Sequence, residues 1–99
     1  MMVIISTRGM TVSKSYKDTL TRKLAKLEPM LPALVETRAI LTKEKHRRTA
    51  ALTLVTRARA FHSEETDSDL AAAVDRAVDA LRRQVCETKA RRARRAARG

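Results

Sequence analysis

The stretch from residue 67 to residue 98 constrains this chain most, because it predicts one long helix with an apolar side and a basic end. Its apolar residues recur at steps of three and four, which places them on one stripe of a helix. Ser68 is the expected N-cap, and Asp67 and Asp69 add the negative charge that a helix N-terminus favours. The stripe requires a partner surface, and the basic end requires an anion. The stripe consists of Leu70, Val74, Ala77, Val78, Leu81 and Val85.

The rest of the chain predicts that partner surface, in the order β-α-β-β-β-α. Apolar residues at spacings of four, four and three indicate a helix over 14–28, with Thr11 or Ser13 as N-cap and Pro29 at its end. This order favours an α+β fold in which two helices cover one face of a four-stranded, mostly antiparallel sheet. β-branched or alternating segments predict the strands at 2–7, 35–44, 49–56 and 60–65.

The connections between the predicted strands are short. In the strand 35–44, the alternation places Val35, Thr37, Ala39 and Leu41 on the buried face. A polar turn is expected over 45–48. Another turn is expected over 57–59, although it lacks the Asn-Gly or Asp-Gly signal of tight hairpins.

The charge of the chain indicates a polyanionic partner. The sequence of 99 residues contains 22 Lys and Arg, and its net charge is +11. Such surfaces bind nucleic acid by releasing counterions from phosphates, while attraction to a membrane surface is the weaker alternative. No apolar run approaches the ~20 residues of a membrane span. The start of the chain does not resemble a signal peptide and Cys86 is the single cysteine, so we expect one domain in the cytoplasm.

No pattern in the sequence predicts catalysis, a cofactor or a metal site. The acidic residues of 64–69 favour helix capping and charge balance over metal binding, because no His or Cys accompanies them at ligand spacing. A nucleophile formed by Cys86 with His46 or His62 would need a third orienting group, which the sequence does not indicate. A glycine-rich phosphate loop is absent from the sequence. We therefore expect a binding protein with no small-molecule substrate.

Several short segments, in this order and at these separations, resemble the ribosome hibernation-promoting factor family, also called ribosome-associated inhibitors or ribosomal subunit interface proteins. The resemblance covers residues 2 to about 90. This chain departs from the family pattern at the 57–59 turn, at Met30-Leu31 and at Ala71, where the family more often has glycine or aromatic residues. The segments are Lys23-Leu-Ala-Lys-Leu-Glu28, Thr42-Lys-Glu-Lys45, Phe61-His62, Asp69-Leu-Ala-Ala-Ala-Val-Asp75 and Asp79-Ala-Leu-Arg-Arg-Gln84.

The resemblance implies a fold similar to double-stranded-RNA-binding domains and a function on the ribosome. Family members bind the small ribosomal subunit and its rRNA, within the whole ribosome, in the channel for messenger and transfer RNA. They inhibit translation and preserve idle ribosomes under stress or in stationary phase. For this chain we expect a short-form member that is monomeric off the ribosome, with a ribosome-binding domain at 1–90 and a disordered basic tail at 91–99. That tail could also fold as a helix against RNA.

Basic residues on both helices and on one turn are the candidate RNA-binding residues. Their phosphate contacts would position the protein, and the shape of the ribosomal cleft would supply specificity. The alternatives are a solvated helix face, compensation of the helix dipole, and a general module for structured or double-stranded RNA. The candidates are Arg22, Lys23 and Lys26 on the first helix, Lys45 and Arg47 in the turn, and Arg76, Arg82, Arg83, Lys89, Arg91 and Arg92 on the second helix.

Overall fold

The computed structural model describes the backbone of residues 2–98 and the side chains of residues 2–92. Met1, the first residue of the predicted domain, and Gly99, the last residue of the predicted tail, lie outside the described residues. The expected order β-α-β-β-β-α is confirmed. Strand β1 pairs in parallel with β2, and the β2–β3 and β3–β4 pairs are antiparallel, which gives the sheet order β1-β2-β3-β4. The elements are β1 (Met2–Arg8), α1 (Lys14–Ala25), β2 (Leu34–Glu44), β3 (Arg47–Thr56), β4 (Ala60–Asp67) and α2 (Leu70–Arg98), with a 3-10 turn at Glu28–Met30.

Both helices pack on one face of the sheet, as the sequence predicted. Alternate residues of β2, β3 and β4 are buried, and they form one core with Leu20, Leu24 and the apolar stripe of α2. All six stripe residues lie in or against this core. The hydroxyl of Ser63 on β4 donates to the carbonyl oxygen of Ala77 on α2 at 2.7 Å, which links the helix to the sheet.

Helix α1 ends earlier than the sequence predicted. Its N-cap is Ser13, whose side chain accepts a hydrogen bond from the Tyr16 amide at 3.0 Å, but the helix ends at Ala25 rather than at residue 28. Pro29 has no amide to donate to Ala25, and its ring would collide with that carbonyl. The chain therefore tightens into the 3-10 turn, in which the amide of Met30 donates to the Leu27 carbonyl at 3.1 Å.

Two expectations for the strands are wrong in detail. Val35 is 51% exposed rather than buried, because the register of β2 against β3 shifts between Leu34 and Glu36. The predicted turn over 45–48 shortens to two residues, because Arg47 and Arg48 join β3. Lys45 is its first residue, with φ of 56°.

The start of α2 is capped by Asp69 and not by Ser68. The amide of Ala71 donates to the carboxylate of Asp69 at 3.2 Å, and the amide of Asp69 donates to the Asp67 carboxylate at 2.9 Å. The other end of α2 also differs from the expectation, since the backbone stays helical to Arg98 through the segment predicted as a disordered tail. Ala and Arg favour a helix, and no Gly or Pro interrupts residues 67–98.

Gly9 is required where β1 ends. Its φ is +70°, and a Cβ at this position would lie 2.6 Å from the carbonyl oxygen of Lys43. Both the backbone conformation and the backbone contact therefore exclude a side chain.

We predict that Gly9→Ala lowers the free energy of unfolding, measured in urea, by more than about 1 kcal/mol. Thr11→Ala, in the same exposed loop, should change it by less than about 0.5 kcal/mol; an equal effect of both changes would contradict the account.

The carboxylate of Asp67 makes stability depend on pH. The hydrogen bond from the Asp69 amide, followed by the nearby Arg76 guanidinium, lowers the pKa of Asp67. The folded protein therefore gains stability from this carboxylate above its ordinary pKa, and loses that stability as the pH falls through the pKa of Asp67 in the folded protein.

We predict that Asp67→Asn destabilises the protein near pH 7 and that the difference from wild type disappears at low pH. Urea unfolding across this range measures it, with the exposed Asp18→Asn as control; a difference independent of pH would contradict the prediction.

Candidate nucleic-acid interface

A groove between α1 and α2 brings predicted site residues from both helices together. Lys26, near the end of α1, and Arg82, in the middle of α2, both line it. Arg22 lies one turn before Lys26 and is exposed. The floor contains Val78, and the remaining lining residues are Lys23, Asp75 and Asp79. Basic residues separated by 56 positions in the sequence (Lys26 and Arg82) thus face the same groove.

The C-terminal half of α2 extends this basic surface. Arg82, Arg83 and Lys89 are all exposed, while Leu81 and Val85 are buried against the sheet. Arg83 lies on the opposite side of the helix from these buried residues, and Arg82 and Lys89 lie at the edges of the buried stripe. Arg82 and Lys89 are two turns apart, about 10 Å along the axis. We call these exposed residues, together with the groove, the basic helical surface; its members are Arg22, Lys26, Arg82, Arg83, Lys89, Arg91 and Arg92. Among the side chains described, none of these seven forms an ion pair.

Two of the predicted site residues already have acidic partners within the protein. Lys23 forms an ion pair with Asp75 across the two helices, and Arg76 forms one with Asp67 at the end of β4. These contacts neutralise part of the positive charge that an RNA phosphate would otherwise meet. The RNA-binding role of both residues stays a prediction, but the geometry favours their structural role. Exposed ion pairs of this kind stabilise a fold by at most about 1 kcal/mol.

The charge along α2 is strongly polarised. Asp69 caps its start, Asp75 and Asp79 lie in its N-terminal half, and its C-terminal half carries most of its cations. Two of these carboxylates also act on Tyr16 of α1. Burial raises the pKa of Tyr16, and the negative charges of Asp75 and Asp69 raise it further. A polyanion would therefore approach the C-terminal half of α2 and avoid its start.

The hairpin residues Lys45 and Arg47 do not join the basic helical surface. The β2–β3 hairpin lies at the end of the sheet where α2 begins, since Arg48 pairs with Asp67 there. Strand β3 separates this end from the one near Lys89 by roughly 30 Å. The structure therefore divides the predicted site into a helical surface and a separate basic hairpin.

Arg59 is a candidate that the sequence analysis missed. It lies in the β3–β4 turn, which closes through hydrogen bonds between Thr56 and Arg59, and it lines a cavity together with Lys89 and Arg92. Arg59 and Lys89 are 30 positions apart in the sequence, so no local spacing pattern predicts that they lie close together. The order of the strands alone, which returns β4 beside α2, could have suggested that these residues meet.

The arrangement provides charge and shape rather than reactive groups. Within residues 2–98, no three His, Cys, Asp or Glu side chains lie close enough together to hold a metal ion. No helix in the same part of the chain is long and apolar enough to cross a membrane. Guanidinium and ammonium groups held on a rigid helical surface are suited to bind phosphates.

Known proteins share both this sequence pattern and this fold. Residues 3–93 match the family described as Sigma 54 modulation protein / S30EA ribosomal protein. A ribosomal subunit interface protein from Coxiella burnetii has the same fold, with a TM-score of 0.83 at 17% identity over 91% of this chain and 99% of that one. The N-terminal domain of Protein Y from Thermus thermophilus superposes with a TM-score of 0.78 at 27% identity, over 86% of this chain and 96% of that one.

No curated protein matches the chain. The family match nevertheless spans most of its length, and it agrees with the resemblance to hibernation-promoting factors that the short sequence segments carried. The chain therefore belongs to the Sigma 54 modulation protein / S30EA ribosomal protein family.

Proposed function

We propose that this protein is a ribosome hibernation factor that binds the small ribosomal subunit in the channel for messenger and transfer RNA. Family membership supports a ribosomal partner, and the Coxiella burnetii and Thermus thermophilus proteins share the fold. The observation that carries the proposal is the basic helical surface. Lys26 from α1 and Arg82 from α2 line one groove, and none of the seven cations of the basic helical surface has an ion-pair partner among the described side chains.

Binding in this proposal comes from phosphate neutralisation and fit. Each Lys or Arg that meets a phosphate releases condensed counterions, which makes affinity fall steeply with salt. Such contacts carry little sequence information, so selectivity for the channel would come from the shape of the protein. The molecule measures 51 × 23 × 17 Å, which is elongated along α2 and suits a cleft more than a flat surface.

Occupation of the channel would inhibit translation without any chemical step. Messenger and transfer RNA could not enter while the protein is bound, and an idle subunit would be preserved under stress or in stationary phase. The site of action would be the cytoplasm, where the ribosomes are. The alternative, a general module for structured or double-stranded RNA, shares the same cations but would not depend on an assembled subunit.

Competition experiments separate the two functions. The protein is sedimented with purified small subunits and whole ribosomes at moderate and high salt, with and without transfer RNA. The proposal predicts about one bound copy per small subunit, release by high salt, and displacement by transfer RNA together with messenger RNA. Equal affinity for any RNA duplex, with no stoichiometric ribosome complex, would favour the alternative.

The basic end of α2 can be tested directly. We predict that replacing Arg82, Arg83 and Lys89 together by Ala weakens binding to small subunits about 10-fold or more at moderate salt. The slope of log affinity against log salt should become shallower by about 2 to 3 units, because three phosphate contacts are lost. Equilibrium binding of labelled protein at several salt concentrations measures both quantities.

A matched triple variant controls for the loss of net charge. Arg8, Lys14 and Lys43 are exposed cations on β1, at the start of α1 and on β2, away from the basic helical surface, and among the described side chains none of them forms an ion pair. Their joint replacement by Ala removes the same charge and should leave most of the slope intact. Equal losses in the two variants would mean that binding follows net charge alone, and the basic helical surface would then have no special role.

A further inference from the structure

An apolar cavity with a cationic rim opens at the end of the sheet where α2 emerges from the core. Its volume is about 120 Å³. Phe61 and Val85 lie at its base, the segment from Met30 to Ala33 forms one wall, and the β3–β4 turn with Ala58 forms another. Phe61 is the aromatic residue among those that line the cavity, and the other apolar lining residues are aliphatic.

The rim of this cavity is basic. Arg59 comes from the β3–β4 turn, and Lys89 and Arg92 come from α2. Lys89 and Arg92 also belong to the basic helical surface, so the cavity is continuous with the proposed RNA-binding face. Among the side chains of residues 2–92, no acidic one lines the cavity. An apolar interior beneath three cations is complementary to a group that has a flat apolar body and a negatively charged attachment.

We propose that the cavity binds one unstacked pyrimidine base of the small-subunit rRNA, with the neighbouring phosphates held by Lys89 and Arg92. An apolar cavity of roughly 150 Å³ encloses a benzene ring. The cavity here is smaller, about 120 Å³, and opens to solvent, so a single six-membered ring would enter it only in part and the larger purine bases would be excluded. Proteins that recognise RNA commonly take bases out of the stack and place them against aromatic rings or guanidinium planes. Arg59 supplies a guanidinium plane at the rim, and Phe61, which is 6% exposed, contributes only the small part of its ring that reaches the cavity. This inference rests on the proposed function, and it adds a contact that depends on base shape.

Filling the cavity without changing charge tests this proposal. Ala58→Phe places a ring at the wall of the cavity, and Ser15→Phe, at an exposed position on α1 outside the cavity, is the matched control. With full-length protein and purified small subunits, we expect Ala58→Phe to lose about 5- to 150-fold in affinity, which is the range for one stacked base. The salt slope should be unchanged, because no cation is removed, and Ser15→Phe should bind as wild type does. Ala33→Phe fills the cavity from the opposite wall and replaces Ala58→Phe if that variant does not fold.

Chemical probing of the rRNA identifies the occupant. Wild-type protein should protect the base of one pyrimidine, and the cavity-filling variant should leave that base reactive while other protections remain. Wild-type affinity of the filled variant would overturn the inference. Weaker binding with no change at any base would overturn it as well, and would indicate a side chain of a ribosomal protein as the occupant. Failure of the wild-type protein to bind small subunits would instead overturn the proposed function.

Discussion

Burial of the apolar stripe of α2 against the sheet is the interaction on which the rest of the structure depends. Ala77, Leu81 and Val85 are fully buried there, and truncation of one large side chain in such a core costs about 2–5 kcal/mol. Because one side of the helix is fixed to the sheet, the opposite side must face solvent. Arg83 lies on that opposite side and Arg82 lies at the edge of the buried stripe, so the packing of the helix decides where their positive charge is exposed. A packing requirement orients the basic helical surface before any partner is present.

The same packing distributes the charges unequally. Acidic residues at the start of α2 are used within the fold: Asp69 caps the helix, Asp75 pairs with Lys23, and Asp67, just before the helix, pairs with Arg76. These ion pairs partly neutralise the cations near the N-terminal end of α2, whereas the described cations near its C-terminal end remain free to bind phosphates. An RNA backbone would thus meet a directional field along the helix axis, which steers its approach and fixes an orientation.

Local periodicity explains why most of the fold could be predicted from the sequence. The stripe of α2 and the Ser13 cap of α1 depend on neighbours within a few residues, and the expectations for both are confirmed. The exposed Val35 could not be predicted, because its orientation follows from a register shift against β3. For the site, the sequence gives the basic residues but not their partners. Lys23 meets Asp75 across 52 positions, and Arg59 reaches the rim beside Lys89 through the return of β4, so only the tertiary structure separates available cations from neutralised ones.

Cys86 offers the most direct measurement of the central claim. It is the single cysteine of the sequence, it is exposed, and it lies on α2 between Arg83 and Lys89. An iron chelate attached to its thiol generates hydroxyl radicals that cut nearby RNA. With the labelled protein bound to small subunits, the account predicts cleavage of the rRNA that lines the channel, and loss of that cleavage when messenger and transfer RNA occupy it. Cleavage confined to the outer surface of the subunit, from protein that sediments with it, would contradict the account.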